Sequence, residues 1–407
     1  MSWQEVSLGE LEGTKGSFVD GPFGSNLKAI EYTDTGIPLI QLKNIKPNQY
    51  LPKDLKYVSV DKAQSLSRHN YQAGDVCIAK LGAVGTACII PDNAPSGIIV
   101  ADVVRFRGDK SRIDYKYLCH FLNSDMGQRR VLSFSRGSTR TRTNLGDLKK
   151  VTIPLPPLDE QKRIAAILDK ADLTRQKRKQ AITLADEFLR SVFLEMFGDP
   201  VTNPKGWSRK EIKEGVSRIT SGWSAKGDSR PCGQGEVGVL KISAVTSGEF
   251  KPKENKFVEK HIIPEGKNLI FPKKGDLLFS RANTRELVAA TCIVPKDCDD
   301  VFLPDKLWNI ELSSEELMPE YFHMLLQDDK FKETLTSQAT GSSGSMLNIS
   351  KQKFETTLAP FAPIDLQMKF KNIYWQLKDN AAKMKNSEDY LIEQFNALSQ
   401  KAFSGQL

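Results

Sequence analysis

The feature that most constrains this chain is that it is written twice. A shift of 200–206 residues brings its landmarks into register. "IPLIQLKNI" (37–45) falls over "VGVLKISAV" (237–245), and "GDVCIAK" (74–80) over "GDLLFSR" (275–281). "ACIIP" (87–91) falls over "TCIVP" (291–295), and "DYKYLCHFLNS" (114–124) over "MPEYFHMLLQD" (318–328). "GSTRTRTNL" (137–145) matches "GSSGSMLNI" (341–349), and "PLPPLDEQKRIAAIL" (154–168) matches "PFAPIDLQMKFKNIY" (360–374). In that last pair Pro157, Asp159 and Gln161 lie over Pro363, Asp365 and Gln367. Six matches in the same order mark a duplication, so the chain must fold as two similar bodies.

Each copy has two parts. Short β-branched runs broken by Gly, Pro and Asn, with a helix near the end, describe a mixed, strand-rich domain. A long helical pattern follows. Pro156 and Pro157 hold the chain extended before it, and Asp159 or Asp365 is a fair N-cap, with Glu160 in the first turn. The first helix is expected over residues 159–197, 39 residues and about 58 Å long.

Ile164, Ile167, Ala171, Ala181, Ala185, Phe188 and Val192 recur along the first helix at three- and four-residue steps. In the second, Leu377, Met384, Leu391 and Leu398 occupy a-like heptad positions while most d-like ones are polar. The expected fold is α+β: two mixed, strand-rich domains separated by two long helices that pair as an antiparallel coiled coil, with an internal pseudo-two-fold repeat. Boundaries fall at 1–155, 156–198, 199–362 and 363–407. Two unrelated helices, each lying on its own domain, are the simpler alternative.

Composition adds little. Hydrophobic residues make up 39% of the 407 and charged residues 27%, ordinary values for a globular protein. No run of 18 apolar residues offers a membrane span, and the opening "MSWQEVSLGELEG" lacks the pattern of a secretory leader. Six cysteines without a CxxC pair suggest reduced thiols in a cytoplasmic protein and no zinc site. A net charge of +8 suits a nucleic-acid partner only if the cations cluster.

The search for chemistry returns little. Phosphate-loop, dinucleotide, metalloprotease and amino-methyltransferase motifs are missing from the sequence. Pro91-Asp92 with Asp114-Tyr115-Lys116 makes a loose PD…DxK nuclease pattern, which a chain this charged produces readily by chance. The cations do cluster. "SRGSTRTR" (135–142) sets Arg136, Arg140 and Arg142 among Ser138, Thr139 and other small hydroxylated residues. Arginine there can grip phosphate or fork onto guanine N7 and O6. The second copy keeps the Gly/Ser character, with Ser342 and Ser343, but not the arginines.

Other candidate DNA contacts lie at strand ends: Lys43, Asn44 and Lys80, then Lys241, Arg281, Asn283 and Arg285. Each is also readable as a solvated side chain. "RQKRK" (175–179) lies mid-helix, and an exposed helix face is its plainer reading.

At "IPLPPLDEQKRIAAILDKAD" (153–172) the chain resembles the specificity (S) subunits of type I restriction–modification systems. "GPFGSNLK" (21–28), "GIPLIQLKNI" (36–45), "GDVCIAKLGAVGTACIIP" (74–91) and "GSTRTRTNLGDLKKVTIPLPPLDEQ" (137–161) are similar to that family's other landmarks. So is the terminal "SQKAFSGQL" (399–407). The second copy departs at "SGWSAKGDSR" (221–230) and lacks a Glu-Gln pair in "APFAPIDLQMKF" (359–370).

The resemblance implies two target-recognition domains, each reading one half of a split double-stranded DNA target. It also implies a coiled coil that sets the spacer and docks two methyltransferase (modification) subunits, and restriction/translocase subunits that complete the complex. Catalysis, with S-adenosylmethionine, ATP and Mg2+, would belong to those partners, and no cofactor to this chain. Half-sites one helical turn apart are separated by about 34–36 Å, within reach of such a rod. A single-chain metal-dependent nuclease and a protein-only coiled-coil scaffold are the rival readings.

Overall fold

The computed structural model describes residues 3–135, 137, 141–337, 339 and 347–407. The chain divides into two compact units, residues 1–180 with 385–407, and residues 181–384. The long helices are Leu158–Phe197 and Ile364–Phe403, 40 residues each and about 60 Å. They are not separate bodies: the division cuts both, so each unit contains one globular domain and a stretch of each helix.

In the first unit, strand Val103–Phe106 lies between Phe18–Asp20 and Val76–Ala79 in an antiparallel sheet that Ala87–Ile89 completes. "VCIA" (76–79) is buried throughout, as a central strand covered on both faces should be. A second sheet orders Lys56–Val58, Ile37–Ile40, Gly97–Ile99 and Asn70–Tyr71, its middle pair parallel. Gln4–Ser7 pairs with Thr152–Leu155 and so closes the domain where it began.

The second unit repeats the plan. Val216–Ser221, Leu307–Leu312, Leu277–Ser280 and Thr291–Ile293 form its four-stranded sheet. Val237–Leu240 lies between Asn255–Val258 and a parallel Val301–Phe302. Ser208–Glu211 closes against Leu358–Phe361.

The repeated join has a mechanism the spacing did not reveal. Each helix begins one residue before the expected aspartate. Asp159 and Asp365 therefore lie in the first turn, favoured by the helix dipole, and are not N-caps. The first helical bond is accepted by a proline: Gln161 N donates to Pro157 O at 3.0 Å, and Gln367 N to Pro363 O at 3.1 Å. The glutamine side chains then clamp the domain. Gln161 Oε1 accepts Asp114 N at 2.8 Å, while Nε2 donates to Arg112 O and Pro156 O, both at 2.9 Å. Gln367 makes the same three bonds, to Met318 N, Glu316 O and Ala362 O. Both glutamines are fully buried.

The helix faces follow from this docking. In the first unit Ile164 and Leu168 share a core with Ala402 and Phe403, from opposite ends of the two helices. Phe403 meets the rings of Tyr117 and Phe121 edge-on at 5.4 and 5.3 Å. In the second unit Leu189, Phe193 and Phe197 enter the core with Phe370, and Phe197 lies 4.7 Å from Tyr321. The two helices thus pack together inside each unit.

The expected seam needs correction at Phe188, which is 56% exposed. The stripe Leu189, Phe193, Phe197 steps by four because it faces a globular core, one residue on from Phe188 and so about 100° round the helix. Val192 and Leu377 are half-buried against that core, and Leu398 against the core of the first unit. Ile167, Ala171, Met384 and Leu391 are half-buried. In the basic run, Arg175 bonds Asp172 at 2.6 Å and lies over the Phe395 ring at 5.0 Å, so it supports the helices.

Candidate nucleic-acid interface

The strand register of the first unit gathers charge at one sheet edge. Asp20 lies opposite Val104, and Ala79 opposite Val103. Asp20, Lys80 and Asp102 therefore meet where three adjacent strands end. Lys80 Nζ pairs with Asp20 Oδ1 at 2.7 Å and Lys80 N donates to Asp102 O at 2.8 Å. Gly21 turns the chain away beneath Val100: a Cβ there would lie 1.9 Å from Val100 O. The loop so anchored carries Phe23, 63% exposed, with Lys80 Nζ 5.9 Å from its ring centroid.

The stretch after the arginine loop is stitched to this edge. Gly82 N donates to Thr141 O and Thr143 N to Lys80 O, both at 3.0 Å, and Leu81 bridges Arg142. Arg142 NH2 donates to Asp102 Oδ1 at 2.9 Å. Arg136, Ser138, Thr139 and Arg140 lie outside the described residues.

The second unit builds the same edge with different residues. Arg281, after Leu277–Ser280, takes the place of Lys80, and Ile349 N donates to Arg281 O at 2.8 Å as Thr143 N does to Lys80 O. Arg281 Nε donates to Asp305 O at 2.9 Å, NH1 to Asn348 Oδ1 at 3.0 Å, and NH2 lies 3.6 Å from Asp305 Oδ2. The strand register thus sets Asn348 where the first copy has Arg142, correcting by two residues the sequence match that laid Asn348 over Asn144. Ser224 donates its hydroxyl to Asp305, and Trp223, directly after Gly222 where Phe23 comes two residues after Gly21, stacks on Phe302 at 6.1 Å. Gly222 repeats the constraint of Gly21, its Cβ position 1.9 Å from Leu303 O. Ser342 and Ser343 lie outside the described residues.

Two expected contacts change character. Asn44 is completely buried. Its Oδ1 accepts Gln41 N and its Nδ2 donates to Leu51 O and Lys53 O, so the carboxamide builds a turn and has nothing left for a base. Lys80 keeps only 4% of its side chain exposed and serves to hold Asp20.

The remaining candidates differ in exposure. Lys43 and Arg285 are both exposed. Asn283 accepts the amide of Thr284 at 2.8 Å. Lys241 lies 4.0 Å from Glu254. The residues overlooked in the sequence are Asp20, Phe23, Asp102, Trp223, Asp305 and Asn348. By strand register Lys306 takes the place of Asp102, since Arg281 N donates to Lys306 O at 3.1 Å as Lys80 N does to Asp102 O, and Asp305 lies one residue earlier.

The nuclease pattern dissolves into structural roles. Asp114 caps a helix, accepting Tyr117 N at 2.9 Å. Lys116 pairs with Asp169 at 2.7 Å, and His120 Nε2 reaches the same carboxylate at 2.7 Å. Burial alone would raise the Asp169 pKa, but the bonds from Lys116 and His120 hold it below the ordinary carboxylate value. In the second copy this pair becomes Glu320 with Trp375 Nε1 at 2.5 Å. Among the described residues no group of three or more His, Cys, Asp and Glu side chains could hold a metal ion. No helix among them is long and apolar enough to cross a membrane.

Residues 24–184 match the family model of the type I restriction modification DNA specificity domain. The chain is 27% identical over 171 residues to the EcoEI specificity subunit of Escherichia coli, covering 42% of this chain and 28% of that protein. It is 23% identical to the EcoKI specificity subunit of Escherichia coli (strain K12), over 93% of this chain and 84% of that one. The crystal structure of the type I restriction–modification S subunit from M. genitalium superposes with a TM-score of 0.57 at 16% identity. That superposition covers 99% of this chain and 96% of the other, so the fold is shared end to end. Residues 24–184 thus match the type I restriction modification DNA specificity domain, and over nearly its whole length the chain is similar to a type I restriction enzyme specificity subunit.

Proposed function

We propose that each globular domain reads one half of a bipartite double-stranded DNA target, with its strand-end edge toward the bases. The observation that carries this is the recurrence of one edge in both repeats. A basic strand end and a returning loop segment occupy matching places, Lys80 and Arg142 against Arg281 and Asn348, and an aromatic side chain and a carboxylate recur within one residue of register, Phe23 and Asp102 against Trp223 and Asp305. A shared frame with exchanged side chains suits two domains reading different sequences. Arg142 and Arg281 are the best-placed donors for base acceptors, and exposed cations such as Lys43 and Arg285 suit phosphates, which position without specifying.

The chain itself performs no chemistry in this reading. The long helices set the spacer as an antiparallel coiled coil and dock two methyltransferase subunits. Restriction/translocase subunits join to complete the complex, in the cytoplasm. Adenine methylation with S-adenosylmethionine and ATP-driven cleavage reside in those partners. Co-expression with the methyltransferase partner and mapping of methylated sites tests the proposal. It predicts one motif of two defined halves with a fixed undefined spacer, and a continuous motif would overturn it.

A further inference from the structure

Both reading edges keep their arginine on a carboxylate. Arg142 NH2 bonds Asp102 Oδ1 at 2.9 Å, and Arg281 lies against Asp305 through its carbonyl at 2.9 Å and its Oδ2 at 3.6 Å. The two aspartates belong to different repeats, so the arrangement occurs twice from different residues. Neither arginine is buried by it: Arg142 keeps 58% of its side chain exposed and Arg281 25%.

We propose that Asp102 and Asp305 are specificity-determining residues, each offsetting the charge of its arginine so that the pair answers base edges rather than bare phosphate. This rests on the reading of these edges as DNA-facing. The physics separates the two kinds of acceptor. A guanidinium has five N–H donors in a planar fork, and a carboxylate that engages one or two leaves others for the uncharged N7 and O6 of guanine. Phosphate is attracted by net charge, and releases counterions in proportion to the cations it meets. An arginine already paired with aspartate offers little net charge, and the aspartate repels the incoming phosphate. The acid thus subtracts from sequence-independent affinity while leaving base readout in place.

The test measures binding of the chain, in complex with its methyltransferase partner, to a target duplex and to a random 30-base-pair duplex across a salt series. Asp102→Asn is expected to tighten random-duplex binding about three- to tenfold at low salt, and to steepen the salt slope by up to about one unit. Target binding should gain less, so discrimination falls. Asp305→Asn should do the same, with relaxation confined to the other half-site. Asp102→Asn combined with Arg142→Ala should lose the gain, whereas Asp92→Asn, an exposed acid in a turn, should leave discrimination unchanged. Random-duplex affinity and slope unaltered in Asp102→Asn would overturn the inference. If Arg142→Ala also leaves the recognised sequence unaltered, the underlying reading fails; if Arg142→Ala changes the first half, only the role of the aspartate fails.

Discussion

Gln161 Oε1 accepts the backbone amide of Asp114 at 2.8 Å, tying the start of a long helix to the start of a domain helix 47 positions earlier. Gln367 holds Met318 N in the same way at 2.8 Å. The glutamine of the duplicated join is therefore a buried three-point clamp, and its Nε2 bonds fix the extended prolyl segment as well. The prolines aim the chain and the glutamine locks it.

Gln161→Leu should strand up to three backbone groups at about 1 kcal/mol or more each, a loss on the order of 3 kcal/mol. Urea unfolding of the purified chain measures it, and Gln367→Leu should cost a similar amount. Gln161→Glu keeps the acceptor for Asp114 N but sets a buried carboxylate oxygen against Arg112 O and Pro156 O, so it should cost at least as much.

The duplication also predicts an asymmetry in backbone strain. Gly85 has φ +84° and Ala289, its counterpart, has φ +63°, a left-handed conformation that costs a residue with a Cβ about 1–2 kcal/mol. Each amide bonds the preceding strand, Gly85 N to Ala79 O and Ala289 N to Ser280 O, both at 2.8 Å. Gly85→Ala should destabilise by more than 1 kcal/mol, since its Cβ would also sit 3.0 Å from both Val131 methyls. Ala289→Gly should be close to neutral, because the strain it relieves is offset by lost packing and greater unfolded-state freedom. Denaturant midpoints of the two variants decide this.

His323 supplies a pH dependence confined to the second copy. It is buried against Thr291 Oγ1 at 2.9 Å, and burial, with Lys378 nearby, lowers its pKa from 6.5 to about 3. The unfolded chain therefore binds the proton more readily than the folded one between those values. Stability should be whole above pH 6.5 and decline as pH falls toward 3, by about 2 kcal/mol at pH 5. His323→Cys, which installs the residue the first copy carries as Cys119, should remove this contribution. Unfolding of wild type and variant at pH 5 and pH 7.5 checks the sign.

The long helices offer a separate test of the spacer. Insertion of one helical turn between Leu173 and Ala181, about 5.4 Å of rise, should lengthen the undefined spacer of the target and alter neither half. Mapping of methylated sites reads the spacer directly, and an unchanged length would contradict a ruler role for this segment.

How far the sequence was legible follows from what each signal reports. Periodicity and proline placed the first long helix, and the start of the second, to within one residue, because a 40-residue helix repeats its signal many times. It misassigned Phe188, since heptad spacing and a globular docking face agree over two turns and diverge over four. Composition marked the strand ends as basic, but it could not say which cations remain available. Lys80 is consumed by Asp20 and Asn44 by a turn, and only strand register brings those partners together. Asp102 and Asp305 went unnoticed because a single aspartate before a strand carries no local signal. Their meaning comes from recurring beside a basic strand end in both copies.

The central claim is that the strand-end edge of each domain reads one half of the target, and Arg142→Ala tests it most directly. The variant chain, expressed with its methyltransferase partner, is compared with wild type by genome-wide mapping of methylated sites. The prediction is a motif changed or lost in one half, with the other half and the spacer unaltered. An unchanged motif, or equal damage to both halves, would contradict it.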